Sequence, residues 1–244
     1  YDNCSLDSTG LDIYSFNCND TGANVVQFYA IDTFGNDDSI DVIVTVLDTQ
    51  PPVVLAQDLT VYLDENGSFG ITADTIDIGS NDNCQIELMW LSDSTFDCAD
   101  TAVANSIYLY AQDSSGNVDS AISIITVFDT TRPIVNIQNI TVYLDSFGNT
   151  SIVPADLDNG SSDNCAIDAM WLSMYDFDCS HAPDSHLVTL FIRDVSGNEH
   201  DSEAYVTVLD TVAPQPIIQN LNIYLDTHGV AVIDADSVDI GSWD

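Results

Sequence analysis

The chain has 244 residues, 45% of them hydrophobic, which is enough apolar material for several small cores and too much for a disordered acidic tail. It carries 40 Asp plus Glu against 2 basic residues, Arg132 and Arg193, for a formal net charge of −38, and it has no lysine. That balance excludes nucleic-acid binding and attraction to anionic lipid, because nothing basic is present to meet phosphate. It also excludes lysine Schiff bases and lysine isopeptide crosslinks.

An internal repeat sets the order of the elements. Asp-Asn-Cys occurs at Asp2–Cys4, Asp82–Cys84 and Asp163–Cys165, and a second cysteine follows 14 residues later at Cys18, Cys98 and Cys179. Asp-x-x-Gly-Asn begins at Asp32, Asp113 and Asp194, and Thr-Val-x-Asp-Thr at Thr45, Thr126 and Thr207. A proline follows in register at Pro52, Pro133 and Pro214, and an apolar-Tyr-Leu-Asp phrase ends at Asp64, Asp145 and Asp226. The offset is 81 residues throughout, except for 80 between the first two cysteine pairs.

In chain order, residues 1–49 read as the C-terminal part of an immunoglobulin-like module. Residues 50–131 and 132–212 read as complete modules, and residues 213–244 as the N-terminal part of a further one. The proline-bearing segments Gln50 to Val53, Arg132 to Ile134 and Ala213 to Pro216 read as linkers. The two partial pieces would make one module end to end, either because the chain is a window on a longer array or because one copy donates its front segment to the next.

Within residues 50–131, Thr60–Leu63, Ser68–Thr72, Ile86–Leu91, Ser106–Ala111 and Ala121–Phe128 are short, rich in Val, Ile, Tyr and Thr, and separated by Gly, Asn and Asp turns. The expected fold is therefore all-β: tandem immunoglobulin-like antiparallel β-sandwich modules. Asp113-Ser-Ser-Gly116-Asn117 reads as a hairpin turn. Trp90 and Trp171 fall on a central strand where the first module has Gly10, and core packing is the expected role, with a sugar-stacking platform as the alternative.

Cysteine pairing within each module, Cys4–Cys18, Cys84–Cys98 and Cys165–Cys179, is the economical reading of the repeat. Paired cysteines argue for an oxidising, extracellular or cell-surface setting. The sequence shows no charged leader and no apolar run of bilayer length, so this segment is expected to hold neither targeting signal nor anchor.

So large a negative charge repels itself, and acids that recur at fixed places suggest calcium, which prefers hard oxygen ligands. The loops at one end of such a sandwich would gather Asp48, Asp77, Asp82 and Asp113 at the first junction. The second would gather Asp129, Asp158, Asp163 and Asp194, and the last piece carries Asp210 and Asp239. The competing reading is that Asp113 and its equivalents only cap their turns and that Asp82 only bonds backbone.

Asn-x-Ser/Thr sequons occur at Asn3, Asn19, Asn66, Asn139, Asn149 and Asn159. A second phrase, Asp-Ser/Thr followed by a small apolar residue or Thr, occurs at Ser8, Ser39, Thr75, Ser94, Thr101, Ser120, Thr130, Thr211 and Ser237. Catalytic signatures are missing: no Gly-x-Ser-x-Gly elbow, no phosphate loop ending in Lys and no His-Glu-x-x-His. The histidines, His181, His186, His200 and His228, have no counterparts in residues 50–131. Acids repeated in every module suit a repeated structural duty better than catalysis, so the chain is expected not to be an enzyme.

The run Leu-Asp-x-x-Gly, Asp-x-Gly-Ser-x-Asp-Asn-Cys, Asp-x-x-Gly-Asn and Thr-Val-x-Asp-Thr-x-x-Pro resembles the hyalin-repeat-like modules of very large surface adhesins of gliding and related Bacteroidota, across the whole chain. The resemblance implies an immunoglobulin-like fold, a cell-surface location and a filament or adhesin stalk. It also implies O-linked sugars at the nine Asp-Ser/Thr sites. Three functions follow as expectations: a calcium-stiffened, glycosylated extracellular fibre whose partners are further copies or repeats of itself; a carbohydrate- or surface-binding adhesin module, for which the histidines and Met174-Tyr175 mark the third module; and an accessory module of a secreted hydrolase.

Overall fold

The structure, a computed structural model, describes residues 4–243. The chain divides into two compact units, Tyr1–Asp129 and Thr130–Asp244. Each is built of short strands joined by turns, loops and single helical turns.

In the first unit, β1 (Leu6–Leu11), β2 (Gly22–Asp32) and β3 (Asp37–Val46) form a three-stranded sheet in the order β1-β2-β3, antiparallel throughout. The complete module follows. β4 (Leu59–Tyr62) and β5 (Ser68–Gly70) lead into a single turn of helix, α1 (Ala73–Ile76). Then come β6 (Ile86–Leu91), β7 (Thr95–Asp97), β8 (Ala104–Asp113) and β9 (Val118–Phe128). Its main sheet has the order β4-β9-β8-β6. β4 runs parallel to β9 and the other pairs are antiparallel. β5 and β7 form a separate antiparallel pair, and isolated bridges Val53↔Asn81 and Ala56↔Asp77 stitch the start of the module to the segment after α1.

Period-2 alternation explains the core. Along β8, Ile107, Leu109 and Ala111 point inward while Ser106 and Tyr108 stay exposed. Ile125 and Val127 of β9, Val61 of β4 and Leu63 just beyond it join them, and the lid over this face comes from Ile71, Ile76 and Phe96. Each such side chain, fully buried, contributes about 1.5–3 kcal/mol.

The second unit repeats the plan. Its elements are β10 (Ile140–Tyr143), β11 (Asn149–Ser151), α2 (Pro154–Leu157), β12 (Ile167–Leu172), β13 (Asp176–Asp178), β14 (Ser185–Asp194) and β15 (Glu199–Leu209). The sheet order is β10-β15-β14-β12, with β11 paired to β13. The core again joins the two layers: Leu144, Ile152, Leu157 and Phe177 pack with Val188, Leu190, Ile192, Val206 and Val208. Residues 213–243 carry no strand, only the bridges Gln215↔Trp243 and Ile218↔Asp239 and one 3-10 turn. The all-β, tandem immunoglobulin-like reading thus holds for the complete modules.

The Asp-x-x-Gly-Asn phrase makes the β8–β9 turn. Asp113 Oδ1 accepts from the amides of Ser115 and Asn117, and Gly116 takes a φ of +90° that a side chain would resist. Asp32 and Asp194 do the same at their hairpins.

The tryptophans differ from expectation. Trp90 is cross-strand neighbour to Tyr110, which lies on the outward face of β8, and the two rings stack at 5.2 Å. Trp171 stacks on Phe191 at 5.5 Å in the same way. Both are half-buried rather than part of the interior. The physical reason is register: Trp90 pairs with a residue of opposite parity to Leu109 and Ala111. In the first sheet the Tyr29 ring lies over Gly10 and occupies the space a side chain there would need.

Candidate cation site at a module junction

The junction between the first sheet and the complete module is built from four segments. The tail of β3 delivers Asp48. The loop before β6 delivers Asp82, Asn83 and Cys84. The 3-10 turn Cys18–Asp20 delivers Cys18, and the β8–β9 hairpin delivers Asn117.

Local chemistry fixes each one. Asn17 caps the 3-10 turn by accepting from the Asn19 amide, and Asp20 accepts from the Asn17 amide in return, so the turn starts on Cys18. Asp82 Oδ2 accepts from the amides of Cys84 and Gln85, which shapes the loop. Asp48 Oδ1 accepts from the Gln50 amide and from the Asn83 side chain. Asn117 Nδ2 donates to the carbonyls of Asp48 and Gln50 and to Asp113 Oδ2, tying the hairpin to the linker.

One oxygen of each acid is left over. Asp48 Oδ2 and Asp82 Oδ1 are buried and have no hydrogen-bond partner among the described residues. Asp48, Asp82 and the sulfur of Cys84 place one atom each within 4.8 Å of one another. Two buried carboxylate oxygens without donors repel each other and cost desolvation, so a cation fits them. Cys84 is disulfide-bonded and offers no thiolate, which leaves an all-oxygen donor set of the kind calcium or magnesium takes.

The other acids expected here do not join the pair. Asp77 receives the amide and hydroxyl of Ser80. Burial works to raise its pKa, and the bonds from Ser80, Gly79 and Ile78 outweigh that and hold the carboxyl below its ordinary value. Asp113 is fully buried; burial likewise raises its pKa, and the bonds from Asn117, Ser115 and Gly116 leave it lowered. Asp158 and Asp239 repeat the Asp77 arrangement with Ser161 and Ser242. Asp194 repeats Asp113, and Asp210 Oδ1 accepts from the Val212 amide. Asp163 Oδ2 accepts from the Cys165 amide, as Asp82 does from Cys84, and Asp129 is buried at 6% exposure. The turn-capping reading therefore describes Asp77, Asp113 and their equivalents, and the orphaned oxygens single out Asp48 and Asp82.

The cysteine pairing is corrected. Cys18 bonds Cys84, with a Cα–Cα distance of 5.2 Å, and Cys4 and Cys179 are free. Cys98 and Cys165 are also disulfide-bonded. The reason is a strand: β1 separates Cys4 from Cys18, and β6 separates Cys84 from Cys98. Six extended residues span about 20 Å, so the two cysteines of one module sit at opposite ends of its sheet, while a disulfide needs Cα atoms within about 7 Å. The segment Ile86–Leu91, legible as a strand, is the sequence signal against the local pairing.

The modification sites are accessible to differing degrees. Ser8, Ser39, Thr75, Ser94, Thr130 and Thr211 are exposed, whereas Thr101, Ser120 and Ser237 are half-buried. Asn19, Asn66, Asn139, Asn149 and Asn159 are exposed, and Asn3 lies outside the described residues. The third module's distinctive residues are bonded within their own fold, although Tyr175 and His200 stay exposed. His181 pairs with Asp178 at 2.9 Å, His186 Nε2 meets the His181 carbonyl, and His200 meets the Pro133 carbonyl. Met174 packs on the core, and Tyr175 accepts from the Leu172 amide.

No protein-family profile matches the chain, and no curated protein sequence matches it. Among solved structures, it is similar to protocadherin gamma B7 extracellular cadherin domains 1-4, at 13% identity over 84% of this chain and 63% of that one, with a TM-score of 0.33. It is similar to the I-band fragment I67-I69 of titin at 9% identity, over 78% of this chain and 75% of that one, with a TM-score of 0.38. A third similarity is to Sidekick-1 immunoglobulin domains 1-4, at 10% identity, 80% and 60% coverage and a TM-score of 0.35. The chain spans less than two thirds of the length of that protocadherin chain.

Proposed function

We propose that this chain is a segment of an extracellular fibre or adhesin stalk, made of tandem immunoglobulin-like modules, stiffened by calcium at the junctions and coated with glycans. The observation that carries the reading is the pair of buried, partnerless oxygens on Asp48 and Asp82. One belongs to the tail of a module and the other to a loop of the next. A cation held between them joins the two and limits bending of the linker. Asp129 with Asp163, and Asp210, occupy the same sequence positions at the following junctions.

The fibre is the natural home for the two partial pieces. Residues 1–49 supply a sheet whose covering front segment is missing, and residues 213–243 supply a front segment without a sheet. A neighbouring repeat completes each. Repeated acids with turn-capping duties argue for architecture over catalysis, and exposed Asp-Ser/Thr sites suit the O-glycosylation that the hyalin-repeat-like resemblance implies.

The test is electron microscopy of native material with and without chelator, alongside mass spectrometry of its glycans. Straight filaments that become flexible on chelation support the reading; particles indifferent to chelator overturn it. A second reading, a carbohydrate-binding adhesin module, rests on the outward aromatic row Trp90, Tyr110 and Tyr108, whose rings lie 5.2 and 6.0 Å apart in turn. A glycan-array signal that is lost in Trp90→Ala would favour it.

A further inference from the structure

The cysteines have a polarity that the repeat makes general. The first cysteine of a module stands just before β1, β6 or β12, and the second opens the 3-10 turn that follows that strand. Cys18, a second cysteine, bonds Cys84, the first cysteine of the module after it. Cys4 is the repeat equivalent of Cys84, and Cys179 is the repeat equivalent of Cys18. Both are exposed free thiols.

Two observations show Cys179 prepared for the bond its equivalents make. Its sulfur lies 3.6 Å from the Gly148 carbonyl oxygen, matching the 3.7 Å between the sulfur of disulfide-bonded Cys98 and the Gly67 carbonyl. It also faces a cavity of about 330 Å³ lined by Cys179, Ala182, Pro183 and Asp210. Those are the repeat equivalents of Cys18, Thr21, Gly22 and Asp48. At the first junction Cys18, Thr21 and Asp48 line a cavity whose remaining wall includes Asn83 and Cys84 of the following module.

We infer that the junctions flanking this segment are closed as Cys18 and Cys84 close theirs, by a disulfide running from the second cysteine of one module to the Asp-Asn-Cys cysteine of the next. Cys179 pairs with the first cysteine of a following module, and Cys4 with the second cysteine of a preceding one. The partner chemistry is one and the same whether that module belongs to a second copy of this chain or to the same polypeptide. The inference rests on the tandem-array part of the proposed function and is independent of calcium.

The bond forms by thiol–disulfide exchange with a disulfide-bearing oxidoreductase. One cysteine thiolate attacks the donor disulfide to give a mixed disulfide. The second thiolate then attacks that sulfur and releases the donor as a dithiol. The two cysteines thereby lose two electrons and two protons, and the oxidant takes up both.

Native material, alkylated without reduction and digested in chelator, is mapped by mass spectrometry. The expected result is a Cys179 peptide crosslinked to a peptide carrying Asp-Asn-Cys, and a Cys4 peptide crosslinked to one carrying a second cysteine. Recovery of both as alkylated free thiols overturns the inference. So does a Cys165–Cys179 link. Gels with and without reductant identify the source of the partner: a ladder that collapses on reduction means separate copies, and a single long species unchanged by reduction means one continuous chain. Because the digest contains chelator, failure of the calcium reading leaves this map intact.

Discussion

Residues 50–131 and residues 1–49 hold equivalent sheets with different interiors. Leu109 on β8 is 0% exposed, while its repeat equivalent on β2, Phe28, is 37% exposed. The three strands they share, their pairing and the hairpin turn are the same. What differs is the front segment, which in the complete module adds β4 to the sheet and a layer over its face. Leu63, just beyond β4, is 5% exposed there, and its equivalent in the last piece, Leu225, has no sheet beside it and is 69% exposed. Hydrogen bonding thus settles the strands of this repeat, and only the meeting of front segment and sheet makes a core.

Breaking the tie between the two regions should have the largest effect. Cys84→Ser opens a crosslink between residues 66 apart in sequence. The chain-entropy relation puts the expected loss at about 4 kcal/mol, to be read from denaturant unfolding of the non-reduced protein. Equal stability of wild type and variant would show that the bond adds nothing. Next, Leu109→Ala should cost about 3 kcal/mol, whereas Phe28→Ala in the isolated 244-residue chain should cost under about 1 kcal/mol. In assembled filaments the two costs should converge, and a persistent gap would mean that residues 1–49 remain uncovered there.

Calcium sharpens the comparison at the joint. With the ion at 100 times its dissociation constant, binding should stabilise the junction by about 2.7 kcal/mol. Differential scanning calorimetry should show that shift in the wild type and its loss in Asp48→Asn and Asp82→Asn. Loss in Asp113→Asn alone would relocate the site. The smallest effect is the pH response of the paired hairpins. Asp32, through the Asn36 side chain above all, and Asp113, through bonds that outweigh its burial, both have lowered pKa values. Each contributes stability that is fully present above the ordinary carboxylate value of about 3.9 and is lost as pH falls through its lower folded value. Asp113→Asn should flatten the acid limb of a melting-temperature profile, and an unchanged limb would deny the carboxylate that role.

Much of this was legible in the residues. Five phrases in one register gave the modules, and alternation in Ser-Ile-Tyr-Leu-Tyr placed Leu109 inward. The cysteine pairing is not legible from proximity in sequence, because the strand between the two cysteines of a module holds them apart. The size of Trp90 suggests the interior, while the register of its strand decides its face. Four recurring acids looked alike in sequence, and only hydrogen-bond accounting in three dimensions separates Asp77 and Asp113, which are satisfied, from Asp48 and Asp82, which each keep one orphaned oxygen.

The Cys18–Cys84 bond has one consequence for durability. It spans the whole connection between a sheet and the next module, including the exposed linker at Gln50 and Pro51. A protease that cuts any single peptide bond between those cysteines leaves both pieces covalently attached. At such a joint one nick does not sever the chain, and failure takes a cut together with reduction.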